Sequence, residues 1–126
     1  MKLAVTILQS AIRLIGVFLI VLGFLFWAKQ ALYLLPWHMR LGVIEVLLLW
    51  ILAVLALRAR VSAGLVIAAL LWGFLTAGFG MKMGSLLPGR THEVIRVLHF
   101  LIGLGAIGLA ESLATRIKRG GRLATV

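Results

Sequence analysis

Charged residues divide this chain into four apolar runs, and that division limits what it can fold into more than any other feature. Leu14 to Ala28 is uninterrupted, and Val61 to Met81 carries no charge at all. A helix needs about 20 apolar residues to cross the ~30 Å hydrocarbon core of a bilayer. With 63% of its residues apolar and 13% charged, the chain lacks the polar surface that would cover a soluble domain, where about 25% charged residues are usual. The expected architecture is all-α: a four-transmembrane-helix up-down bundle, with spans at about 12–33, 37–57, 61–81 and 92–113 and a basic tail at 114–126. Together these form a single integral membrane domain, 1–126, with no room for a large catalytic domain outside the bilayer.

Local signals place the connections. The first run, Leu3 to Ala28, is broken by Gln9, Ser10 and Arg13 and follows Lys2, the outline of a signal peptide. Trp27 and Lys29 stand where a small-residue cleavage site would be, so the run is expected to be retained as a span. Trp27, Tyr33 and Trp37 suit a membrane interface. Pro36 suits the first turn of the second helix, where its missing N–H leaves no bond unmade. Arg58 and Arg60 bound a turn too short for anything but an antiparallel hairpin. Pro88-Gly89 marks another turn, Thr91 is expected to cap the fourth helix, and Glu93 stands at its positive dipole end. Gly73/Ala77, Gly80/Gly84, Ala106/Ala110 and Ala110/Ala114 are small-xxx-small pairs that let helices approach closely.

The chain has 13 Lys and Arg against three acids, a net charge of +10. In a soluble domain that excess suggests a nucleic-acid surface. Here the cations sit at the ends of apolar runs, so the lipid bilayer is the expected partner and nucleic acid is not. Lys2, Arg13, Arg58, Arg60, Arg116, Lys118, Arg119 and Arg122 fall on one side, and Lys29, Arg40, Lys82, Arg90 and Arg96 on the other. The richer side is expected to be cytoplasmic, which puts both termini in the cytoplasm of a bacterial cell, with the chain multi-pass in its inner membrane. The absence of cysteine excludes disulfides, thiolate metal sites and cysteine nucleophiles. Ser10, Ser62, Ser85 and Ser112 have no accompanying base pattern, so an enzyme acting alone is not expected.

Ionisable groups inside a span are functional candidates by default. His38, Glu45, His92, Glu93, Arg96 and His99 all fall toward the non-cytoplasmic side. His92, Arg96, His99 and Gly103 form one stripe on the fourth helix, and His38, Gly42, Glu45 and Leu49 form another on the second. The form His-x-x-x-Gly occurs twice, at His38 to Gly42 and at His99 to Gly103. An imidazole ligates iron, and a glycine one turn away leaves space for a flat macrocycle, so the expected site is one b-type haem, or a quinone, between facing helices. His38 and His99 are the leading metal ligands, with His92 as alternate. Glu45 and Arg96 serve as supporting or quinone-facing groups, and Arg40, Arg96 or Lys29 as partners for propionates.

Depth weighs against the leading pair. If the second and fourth helices begin at one level, the two imidazoles differ by about six residues, or ~9 Å. His38 with His92, or Glu45 with His99 as a non-haem pair, are the alternatives. Each histidine also has a plain reading, hydrated near an interface or hydrogen-bonded inside the bundle. Copper is a minor alternative, from Met81, Met83 and Met39 with His38 and His92. At the cytoplasmic end Arg13 and Glu111 are expected to pair, because either alone near lipid is costly.

The stretches Leu25-Phe26-Trp27, His38-Met39-Arg40-Leu41-Gly42 and Leu87-Pro88-Gly89, with His92, Leu98-His99, Ile102-Gly103 and Gly108-Leu109-Ala110-Glu111, resemble a family of small four-span bacterial membrane proteins without an established activity. That resemblance implies the fold and no chemistry. A looser likeness to b-type cytochrome four-helix bundles rests on the two His-x-x-x-Gly stretches, and with three histidines in the chain it implies one haem, not two. The functional expectation is electron transfer beside a larger membrane redox complex. The rival expectation is a cofactor-free accessory or scaffold subunit, or a homo-oligomer, held by its small-residue faces.

Overall fold

The computed structural model describes residues 1–123. It contains four helices: α1 (Lys2–Trp27), α2 (Leu35–Arg58), α3 (Ala63–Lys82) and α4 (His92–Leu123). Four helical segments, each built around one of these helices, are long and apolar enough to cross a membrane. Short 3-10 turns at Leu32–Leu34, Met83–Ser85 and Gly89–Thr91 fill the connections. Pro36 sits in the first turn of α2, as its missing N–H suggests. Two sequence expectations shift at their edges. The first helix starts at Lys2 and stops at Trp27, rather than running from about 12 to 33. Gln9 and Arg13 lie inside it, since both find partners on α4. The tail expected at 114–126 is helical through Leu123, and residues 124–126 lie outside the described residues. At ~1.5 Å per residue the 32 residues of α4 exceed the ~30 Å that a hydrocarbon core requires.

α2 packs against all three other helices and α4 does the same, whereas α1 and α3 do not touch among the described residues. α2 and α4 therefore form the inner diagonal. Residues early in α1 meet residues late in α4, so those two helices run in opposite directions. The starts of α2 and α4 meet each other, so those two run the same way.

The core consists largely of alanines and branched aliphatics. Ala53, Ala56, Ala69, Ala106, Ala110 and Ala114 pack with Val5, Ile12, Leu49, Leu52, Val66, Leu113 and Ile117. Lipid tails are as apolar as leucine, so close contact between backbones holds such helices together. Two tryptophans repeat one device. Trp50 of α2 lies across Gly73 of α3 and donates its indole N–H to Leu70 O at 3.2 Å. Trp72 of α3 lies across Gly105 of α4 and donates to Ile102 O at 2.8 Å. In both cases the acceptor precedes the glycine by three residues, which places it one turn away on the same face. A methyl group at Gly105 would come within 2.6 Å of the Trp72 ring.

Candidate functional site

The polar residues inside the bundle separate into two groups. One is fully bonded. Glu111 of α4 accepts from Arg13 Nε at 2.6 Å, from Arg13 Nη2 at 2.8 Å and from Gln9 Nε2 at 2.6 Å. Lys118 Nζ donates to Gln9 Oε1 at 2.5 Å. The expected Arg13–Glu111 pair is present, and Gln9 and Lys118 extend it into a network that joins the first helix to the last.

The other group lies on the inner diagonal. His38, in the first turn of α2, and His99, in the second turn of α4, have ring centroids 6.1 Å apart with planes at 52°. The expected difference in depth does not hold, because α2 and α4 are staggered along their axes. His38 lies edge-on to Phe26 of α1 at 5.4 Å, and His99 is parallel to Phe79 of α3 at 6.3 Å. Each ring also lies against a glycine of a neighbouring helix. A Cβ at Gly23 would meet His38 Cε1 at 4.0 Å, and one at Gly80 would meet His99 Cε1 at 3.4 Å. All four helices thus contribute to the surroundings of two imidazoles. The Nδ1 atom of each is buried with no hydrogen-bond partner.

Two turns further along α2, Glu45 is 6% exposed. Both of its carboxyl oxygens are buried and unpartnered. It stands opposite Gly16 of α1, where a Cβ would come within 3.3 Å of Oε1. Glu45 and His38 are seven residues apart, as are Gly16 and Gly23, so a glycine heptad on α1 faces a polar heptad on the antiparallel α2. The spacing of Gly16 and Gly23 is the signal that sequence reasoning missed.

The remaining sequence candidates lie elsewhere. His92 Nδ1 is 3.1 Å from Leu86 O in the α3–α4 connection, where it ties down that connection and stands apart from the His38–His99 pair. Arg96 pairs with Glu93 at 2.7 Å along the first turn of α4, and Arg40 stacks over Trp37 at 5.2 Å. Thr91 directs its hydroxyl back to Leu87 O and Pro88 O, so it closes the preceding turn and does not cap α4. Met39 and Met81 face outward, 52% and 66% exposed. Glu45 makes no bond to His99. Among the described residues no three His, Asp or Glu side chains converge as a metal shell. Gly42 and Gly103, one turn beyond the two histidines, both face open space, since a Cβ at either meets nothing within 4 Å.

The arrangement offers two imidazoles side by side and a separate carboxyl, with the Nδ1 atoms and both carboxyl oxygens buried and unbonded to protein. Such groups are rare in folded proteins, and each calls for an explanation. The chain matches no protein-family model, no curated protein and no solved structure.

Proposed function

We propose that this chain is a multi-pass protein of the bacterial inner membrane, an up-down bundle with both termini cytoplasmic. In this proposal it holds one b-type haem between His38 and His99 and passes electrons beside a larger membrane redox partner. The observation that carries the proposal is the His38–His99 pair: two imidazoles from facing helices, 6.1 Å apart, each with a buried nitrogen that no protein group satisfies. Imidazole is a haem ligand, and helix bundles build cofactor sites from side chains on facing helices, so His38 and His99 would be the residues to hold it. The open faces of Gly42 and Gly103 supply the space that a macrocycle edge requires. When bound, the haem supplies a one-electron couple. The chain's own residues set its surroundings: Phe26 and Phe79 border the imidazoles, and Gly23 and Gly80 let the rings approach α1 and α3.

The orphaned carboxyl of Glu45 favours a second reading, in which the same face of α2 receives a quinone headgroup. His38 and Glu45 would then be its hydrogen-bond partners.

The deciding measurement is the visible spectrum of the detergent-purified protein from haem-sufficient cells. A Soret band that shifts on dithionite reduction is expected, lost in His38→Ala and in His99→Ala and retained in His92→Ala. A colourless wild-type preparation overturns the haem reading and leaves the quinone site or a cofactor-free accessory subunit. Saturable binding of a quinone that is lost in Glu45→Leu then separates those two.

A further inference from the structure

At the end of the bundle opposite the histidines, a groove of about 720 Å³ separates the α2–α3 turn from the last turns of α4. Arg60 and Ser62 line it from the turn, and Ser112, Thr115, Arg116 and Arg119 line it from α4. The four α4 residues are spaced i, i+3, i+4 and i+7, which puts them on one face of the helix. Close packing fixes that face toward the turn: a Cβ at Gly120 would lie 3.9 Å from Ala59 O. The Ser62 hydroxyl makes no capping bond to α3, so it is free to donate.

The three arginines have no counter-charge among the described residues. The chain holds three acidic side chains, and each is committed elsewhere. Glu45 is buried on the inner diagonal, Glu93 is paired with Arg96, and Glu111, which borders the groove, has its oxygens bound by Arg13 and Gln9. Like charges gathered around one concavity repel one another unless an anion occupies it. Guanidinium groups match phosphate oxygens in bidentate geometry.

The groove's position selects the source of that phosphate. It lies where α2 ends at Arg58 and α3 begins at Ala63, the level at which apolar spans give way to charge. The last turns of α2, which lead into this turn, carry exposed apolar side chains, with Val54 and Leu57 about half exposed. An occupant there has its charge beside the arginines and its tails along an apolar helix face. We propose that this groove is a binding site for the phosphate of an anionic phospholipid, held by Arg60, Arg116 and Arg119.

Native mass spectrometry of the full chain in detergent tests the site, with phosphatidylglycerol and phosphatidylcholine of matched acyl chains as probes and inorganic phosphate as competitor. One basic residue near an anionic headgroup is worth about fivefold in affinity. Phosphatidylglycerol is expected to bind several-fold more tightly than phosphatidylcholine and to resist millimolar inorganic phosphate. The triple variant R60Q/R116Q/R119Q is expected to weaken phosphatidylglycerol binding more than tenfold. K29Q/K82Q/R90Q, which removes as many charges from the other end, is expected to change it less than twofold. If the triple variant does not fold, R119Q alone carries the test with an expected loss of about fivefold. Equal binding of the two lipids, no loss in the groove variants, or an equal loss in the control variant would overturn the proposal. Displacement by inorganic phosphate at the lipid's own concentration would identify free phosphate as the occupant and overturn the lipid assignment.

Discussion

Gln9 and Glu45 are both buried polar residues in a bundle built largely of alanine and leucine, and they have opposite fates. Gln9, 4% exposed, gives its amide to Glu111 and receives the ammonium of Lys118, so the network around it is closed. Glu45, 6% exposed, has neither oxygen bonded, and the two imidazoles two turns away leave their Nδ1 atoms in the same condition. An unsatisfied buried polar group costs about 1–3 kcal/mol. The closed network therefore accounts for itself as structure, since it ties the first helix to the last. The open cluster has no such structural account, and on the proposed reading it is kept for what it binds.

Breaking the closed network should have the largest effect. Glu111→Leu removes the acceptor of three hydrogen bonds and leaves a guanidinium and an amide without a partner, so stability should fall markedly. Adding Arg13→Leu should recover much of that loss, and the double-mutant cycle should be strongly non-additive. Unfolding in mixed micelles measures it. Additive losses would mean that the pair is not coupled and that the closed end is no more structural than the open one.

The layer between the two ends should respond next. Gly105→Ala drives a methyl group to within 2.6 Å of the Trp72 ring, and overpacking of this kind costs about 1–3 kcal/mol. Because the same contact sets how α3 meets α4, the variant should also weaken any haem band. Gly73→Ala, against Trp50, should behave alike. A stable Gly105→Ala protein with an unchanged spectrum would show that the tryptophan contacts do not position the histidines.

These contacts also mark the limit of what was legible beforehand. Four helices follow from the apolar runs alone, because lipid permits few other ways to bond a backbone. The Arg13–Glu111 pair was legible because an unpaired charge near lipid demands a partner, and each residue offered one at matching depth. The true start of α1 was not: Gln9 and Arg13 look like interruptions until their partners on α4 are in place. The helical continuation of α4 was hidden for a related reason, since Arg116, Lys118 and Arg119 look like a tail until Lys118 is seen bonded to Gln9. For the site, His38 and His99 stood out as residue types, but their approach depends on the stagger of α2 and α4. No periodicity within a single helix encodes a stagger. It arises from where bulky rings meet glycines on neighbouring helices.

At the open end the expected change in stability has the opposite sign. In cofactor-free protein, His38→Phe and His99→Phe replace an unbonded imidazole with an apolar ring of similar shape. They remove no hydrogen bond that either histidine makes to protein, so stability should be unchanged or higher by up to about 1 kcal/mol. The same variants should lose all haem. Chemical denaturation of protein purified from haem-depleted cells measures the first effect and absorbance the second. A loss of several kcal/mol in the haem-free variants would mean that the imidazoles are structural, and the contrast with Gln9 would disappear.

The smallest effect bears most directly on the space beside the histidines. A Cβ at Gly103 meets nothing within 4 Å, so Gly103→Ala should fit without strain. Alanine within a helix is favoured over glycine by about 0.5–1 kcal/mol, and the cofactor-free variant should gain up to that amount. Gly42 is equally open, and Gly42→Ala should show the same small gain. If a macrocycle edge occupies this strip in the loaded protein, Gly103→Leu should lower haem occupancy while leaving the cofactor-free fold intact, although residue 103 offers no ligand to iron. The two measurements together separate space kept for a cofactor from a face left open to lipid. Gly103→Leu that retains full haem absorbance would assign the open face to lipid and show that the haem takes no space beside residue 103.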